Sequence, residues 1–193
     1  SSDVCSSDLP EPIGIQKYAN EAEMRVLTED EWIFAREDLE LHIDTLGEGT
    51  DDASLYLEKG SEIEIDQVND AVMFRIFDLS SVIIETGDYP GGSQIEARTP
   101  SDDVLFSVEG SCMSVSYNQP EELLQAACFE GNCQYKIGRH SSVGIPAGQF
   151  VTLNSNDVES FPIFESISRG LALQQQTFLS QFVGGPADIE SCL

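Results

Sequence analysis

The sequence predicts an all-β fold, a sandwich or roll of many short strands followed by one C-terminal helix. Three observations carry that expectation. Apolar-patterned runs of a few residues recur about every 8 to 15 positions, with Gly, Pro and Asp at the joints. Apolar residues make up 40% of the 193-residue chain, enough for a buried core. A sustained period of about 3.6 residues is absent before Asp157 and present after it.

In chain order, residues 1–9 read SSDVCSSDL, which resembles a translated sequencing-adapter fragment. The native start, with any signal or anchor, is therefore expected to be missing, and residues 1–9 are expected to pack against nothing. Pro10 to Glu23 is polar with two prolines and reads as a linker, so 1–23 stands apart from the domain. A β domain is expected over 24–156. Its runs are Trp32 to Ala35, Leu39 to Ile43, Ala53 to Leu57, Ile63 to Ile65 and Val72 to Phe77, then Val82 to Ile84, Ile95 to Arg98 and Val104 to Val108. Met113 to Tyr117, Leu123 to Phe129, Cys133 to Ile137 and Phe150 to Leu153 complete them. Leu39, Leu41 and Ile43 alternate with Glu40 and His42, the period of a half-buried strand. In the tail, 157–193, Ile167, Leu171, Phe178 and Phe182 share one helical face. One helix from Glu165 to Val183 is predicted, stopped by Gly184-Gly185-Pro186, with a loose end beyond.

Charge narrows the partners. Nine Lys and Arg stand against 35 Asp and Glu, for a formal charge of −26. Such a chain repels nucleic-acid phosphates and anionic lipid heads. Self-repulsion should also make stability rise with salt, because ions screen charges beyond a Debye length of about 10 Å at about 0.1 M. Melting curves across a salt series test this. A flat or falling midpoint would mean that local ion pairs, not net repulsion, control the electrostatics. No run of apolar residues is long enough to cross a membrane as a helix.

An ordered set of short motifs resembles the FecR family of bacterial extracytoplasmic sensor proteins over about 125 residues. Trp32 precedes an extended run ending at Thr45. A strand leads into Gly60-Ser61, and another into Thr99-Pro100. Val108-Glu-Gly110-Ser111-Cys-Met-Ser-Val115 stands where the family has Val-x-Gly-Thr-x-hydrophobic-x-Val. Glu130-Gly131 and Ala147-Gly148-Gln149 close the block. Leu41-His42 departs from the family's Gly-Asp, and the Gly expected near Ser81 is absent. The resemblance implies structural roles for Trp32, Gly60, Thr99, Pro100, Gly110, Ser111, Gly131 and Gly148. Gly110, lying between two apolar runs, also fits a bend or bulge on its own account. The family's known sensors span the inner membrane, handle a sigma factor on the cytoplasmic side and read an outer-membrane receptor. This sequence contains neither the membrane span nor the cytoplasmic segment, so the resemblance implies only the extracytoplasmic domain. Its partner would be an envelope protein or a glycan. The alternative is a structural accessory domain of a larger secreted or surface protein.

No catalytic, metal or cofactor site is predicted. His42 and His140 are the only histidines, and Cys128 and Cys133 lack a second pair at zinc-ligand spacing. Ile83-Ile84-Glu85-Thr86-Gly87 has Glu where an aspartic protease needs Asp, and it occurs once. Pro146-Ala147-Gly148 is similar to a cupin step without its histidine. Glu48, Asp51 and Asp52 do not follow the alternation of a calcium loop. They read as a solvated acidic turn.

A disulfide between Cys128 and Cys133 is predicted. The two cysteines bracket Phe129-Glu130-Gly131-Asn132, which reads as the turn of a hairpin with Gly and Asn available for positive φ. Such a bond belongs to an oxidising compartment, which places the chain outside the cytoplasm. Cys112 and Cys192 remain open: with Cys5 of the adapter-like segment set aside, the four other cysteines allow three pairings.

Overall fold

Period-two patterning carries most of the chain into strands, and the pairing partners decide where each strand bends. The computed structural model describes residues 14–18, 24–27, 31–43, 53–68, 71–87, 95–101, 104–154 and 163–182. Its strands are β1 (Gly14–Tyr18), β2 (Met24–Leu27), β3 (Glu31–Phe34), β4 (Leu39–Ile43), β5 (Ala53–Leu57), β6 (Glu62–Val68) and β7 (Ala71–Ile76). After them come β8 (Ser80–Thr86), β9 (Ile95–Arg98), β10 (Val104–Asn118), β11 (Leu123–Ile137), β12 (Val143–Ile145), β13 (Gln149–Asn154) and β14 (Ile163–Ser166). One helix, α1 (Arg169–Leu179), follows. The fold is all-β with a single C-terminal helix. β1 lies within the stretch expected to be linker and pairs with β2 and β4. Residues 1–9, the Glu48–Asp52 turn and Cys192 lie outside the described residues.

All the strands belong to one curled sheet, in the order β2-β1-β4-β5-β8-β10-β9-β7-β6-β3, with β11 beside β10 and β12, β13 and β14 beyond it. Among the described strands every pair is antiparallel except β7 with β9. The long β10–β11 hairpin belongs to both halves of the curl. The first half of β10 pairs with β9 and the second with β8. β11 likewise pairs with β13 at its start and β12 at its end. Inward side chains from both halves, among them Leu41, Leu55, Phe74, Ile84, Phe106 and Val151, form one core cluster. A sheet that folds over on itself in this way needs corners, made where strands bend and change partners.

The corner is a paired bulge. The register runs Val108↔Cys133 and Glu109↔Asn132, then jumps to Cys112↔Glu130 and Met113↔Cys128. Gly110 has φ +55° and Gly131 φ +72°, left-handed values that side chains resist. In an uninterrupted strand, residues five apart face opposite sides. Here Val108 and Met113 both join the inner core, as do Cys128 and Cys133. Each strand has therefore switched faces across the bulge.

This corrects the expected hairpin. Residues 129–132 do not reverse the chain; they lie inside β11, and the two cysteines belong to one strand. The reversal is at the short 3-10 helix Gln119–Glu121, where Glu122 takes φ +55°. Locally, Gly and Asn serve a bulge as well as a turn, and only the partner strand distinguishes them.

The helix is shorter than its sequence pattern. β14 runs to Ser166, and Ser168 caps α1 by accepting a hydrogen bond from the Leu171 N–H at 3.2 Å. The helix ends at Leu179, before the glycines. The predicted face is nevertheless the packed one. Ile167, Ala172, Phe178, Leu179 and Phe182 meet Tyr56, Ile83, Ala127 and Phe129 on the outer surface of the sheet, forming a second core. Phe182 lies 5.2 Å from Tyr56, ring centroid to centroid.

Candidate functional site

Most residues singled out by the family resemblance sit at joints. Gly60 is in the β5–β6 turn and Gly148 in the turn before β13. The Gly148 N–H donates to the Cys128 carbonyl at 2.8 Å, and its own carbonyl accepts from Ile167 at 2.9 Å. Thr99 is buried, and its Oγ1 accepts from the Val104 N–H at 3.3 Å, closing the turn that begins at exposed Pro100. Ser111 lies in β10 at the bulge beside Gly110. The structure joins Cys128 and Cys133 by a disulfide with Cα atoms 5.8 Å apart, beside Gly131 at the corner. Ser61, buried, donates to the Ser81 carbonyl and accepts from its N–H, both at 3.0 Å, which ties the Gly60 turn to β8. His140 is exposed and far in sequence from His42, which lies in β4.

Two other clusters could meet a ligand. The first crosses β4, β5 and β8 on the outer face, where the register places Glu40 beside Tyr56, His42 beside Ser54 and Ser54 beside Glu85. His42 Nε2 lies 3.3 Å from Glu40 Oε1, an ion-pair distance once the ring is protonated. The same oxygen finds no partner in hydrogen-bond geometry among the described residues. Ser54 Oγ is 3.5 Å from His42 Nδ1. The Tyr56 hydroxyl donates to Glu85 Oε2 at 3.0 Å. Burial, then the Glu85 carboxylate beside it, holds the Tyr56 hydroxyl far above the ordinary tyrosine range.

Serine, histidine and carboxylate stand in line here, as they do in hydrolases. β5 is paired with both β4 and β8, so the ladders take up its own backbone N–H groups. The serine hydroxyl also sits at the far limit of a hydrogen bond. The cluster reads as the polar margin of the second core, where Tyr56 packs under Phe182.

Its electrostatics have a testable sign. Burial raises the Glu85 carboxyl above its ordinary 4.5; Glu40 and Glu130 add to the shift, and the Tyr56 hydroxyl and His42 oppose it. A group with a raised folded-state pKa contributes stability that is present below its unfolded pKa and is lost as pH climbs through the folded one. Glu85→Gln keeps an acceptor for Tyr56 and removes the buried charge. It should raise the thermal midpoint at about pH 7 and leave it unchanged at about pH 4. Equal shifts at both pH values would rule out charge burial as the cause.

The second cluster is the edge of the sheet at β3. Ile33 points into the core, whereas Trp32 and Phe34 face outward and are 53% and 56% exposed. Trp32 stacks on Phe77, with ring centroids 4.4 Å apart. Trp32 carries the family resemblance; Phe34 and Phe77 were not singled out by sequence. The signal lay in the alternation Trp-Ile-Phe, which has an apolar residue on both faces of a strand. Beside this pair on β6 are Glu62 and Glu64, the latter held by Arg75 at 3.1 Å. Glu96 and Arg98 pair at 3.2 Å further along the same sheet.

No protein-family model matches the chain, and no curated protein matches it. Two crystal structures of a candidate anti-sigma factor from Parabacteroides distasonis, at 2.50 and 1.65 Å, share its course. They superpose with TM-scores of 0.56 and 0.55 at 13% and 14% identity, over 76% and 75% of this chain. The likeness is one of fold. The matched region covers 64% and 65% of those chains, less than two thirds of their length. Among the described residues, no helix is long and apolar enough to cross a membrane.

Proposed function

We propose that this chain is a non-catalytic binding or sensing domain of the FecR type, working outside the cytoplasm on an envelope protein or a glycan. The observation that carries this reading is the fold shared with the candidate anti-sigma factor of P. distasonis. The FecR-like motif order in the sequence points the same way. The Cys128–Cys133 disulfide supports the compartment, since such bonds persist where thiols are not held reduced.

The test compares transcripts in the source cell with and without the gene. A sensing domain predicts a change confined to genes served by one alternative sigma factor. An unchanged profile accompanied by loss of a secreted activity would favour the structural accessory role instead. A parallel screen against ester, peptide and glycoside substrates should give no turnover. Turnover lost in His42→Ala or Ser54→Ala would overturn the non-catalytic reading.

A further inference from the structure

We propose that β3 is a docking edge, which takes one extended, basic and apolar segment of a partner protein as an added strand. The inference deepens the binding reading above and rests on it.

The backbone supplies the template. The Ala35 N–H donates to the Ser61 carbonyl at 2.8 Å, which sets the phase of the β3–β6 ladder. In an antiparallel pair, alternate residues exchange both bonds with the neighbour, and those between turn both groups away. Ile33, two residues from Ala35, therefore bonds to β6. Trp32 and Phe34 direct their N–H and C=O groups toward the free edge. Among the described elements, no strand lies beyond β3.

The side chains reinforce the same edge. Natural edge strands are commonly blunted by lysine, proline or an inward charge. β3 is short, four residues beginning with Glu31, but it carries neither lysine nor proline. Instead Trp32 and Phe34 place two aromatic surfaces beside the open backbone groups, and stacking on Phe77 holds Trp32 in place before a partner arrives. An anchor ordered in advance loses less freedom on binding. Main-chain bonds to an added strand, with alternate side chains read on one face, are an established mode of peptide recognition.

Charge selects the occupant. In sequence, residues 29–38 hold Glu29, Asp30, Glu31, Glu37 and Asp38 against the one cation Arg36, and on the adjoining strand lie Glu62 and Glu64, the latter paired with Arg75. A second copy of this chain would bring the same −26 and the same local carboxylates to the contact. A segment alternating Lys or Arg with β-branched residues satisfies the edge, the aromatics and the field together.

Trp32 is the only tryptophan in the chain, so its emission reports on this edge alone. The probe is a capped peptide of about ten residues alternating lysine with valine, titrated at about 0.15 M salt. Saturable blue-shifted emission is expected, with added hydrogen-exchange protection at the Trp32 and Phe34 amides. A glutamate–valine peptide, and a lysine–valine peptide interrupted by prolines, should not bind. Phe34→Pro deletes an N–H that β6 does not use, and should weaken binding by at least about tenfold. Phe34→Lys keeps that N–H but adds a like charge, and should weaken binding similarly even if the proline variant fails to fold.

Equal binding of the proline-interrupted peptide would reduce the effect to bulk attraction and overturn the proposal. So would absence of binding by the lysine–valine peptide, or binding that neither Phe34 variant weakens. A concentration-dependent dimer abolished by Phe34→Lys would make the occupant a second copy and overturn it too. An unchanged transcript profile alongside intact peptide binding would sink the regulatory reading alone. A changed profile without peptide binding would sink the edge-strand reading alone.

Discussion

Phe129→Ala is expected to lower stability by about 3–5 kcal/mol, the usual cost of emptying a buried phenylalanine site. Phe129 is fully buried, yet it is not part of the core inside the curl. It lies on the outer face of β11, in the second core with Ala172, Phe178 and Leu179 of α1 and with Ile167 and Phe182. The loss therefore falls on the contact between helix and sheet, which Phe178, Leu179 and Phe182 share. At roughly 2–4 °C per kcal/mol for a chain of this size, the thermal midpoint should fall by about 6–20 °C. Phe34→Ala removes a ring of the same kind from an exposed edge and should change stability by less than about 0.5 kcal/mol. Calorimetry on the two variants separates these outcomes. A loss below about 1 kcal/mol for Phe129→Ala would mean that α1 does not close a second core.

Removing the disulfide should have the next largest effect. The bond closes a ring between residues five apart, for which the chain-entropy model gives about 2 kcal/mol, or about 4–8 °C. Cys128→Ala with Cys133→Ala avoids leaving buried hydroxyls without partners, since both sites are buried. The location of the damage is more informative than its size. The bond spans the bulge at which β10 and β11 exchange partners, so faster hydrogen exchange should appear first across 108–113 and 128–133. Uniform acceleration along both strands would show that the bond serves global stability rather than the corner. Free thiols at Cys128 and Cys133, found by peptide mapping of protein exported to the periplasm, would remove the bond and weaken the compartment argument with it.

How much of this was legible in the sequence depended on the range of the interaction. Alternation at Leu39–Ile43 and Ala53–Leu57 marks β4 and β5 because period two is a property of the strand itself. The helical face of Ile167, Leu171, Phe178 and Phe182 was equally plain, although β14 and the Ser168 cap made the helix shorter than the pattern. The cysteine pair was legible from spacing and residue type, although the turn it was argued from is a bulge within β11. The candidate site was not: Trp32 could be named, but Phe34 and Phe77 gain meaning only from β3 having one neighbour among the described strands.

By itself, then, the sequence marked most of the strands, though not β1, β2, β12 or β14, and it determined that a helix follows them, that the chain is strongly acidic and that Cys128 and Cys133 are a candidate pair. The tertiary structure decided what those stretches do. It made residues 129–132 a bulge rather than a turn, because β10 carries a matching bulge at Gly110 and the two strands continue together past it. It made Phe129 a core residue by gathering it with α1 and its flanking residues Ile167 and Phe182 on the outer face. It left β3 at an edge, with its aromatic side chains and half its backbone groups turned outward. Local patterns report a residue's preference for a strand or a face, but burial and edge position depend on neighbours distant in sequence, and those are set only when the whole sheet closes.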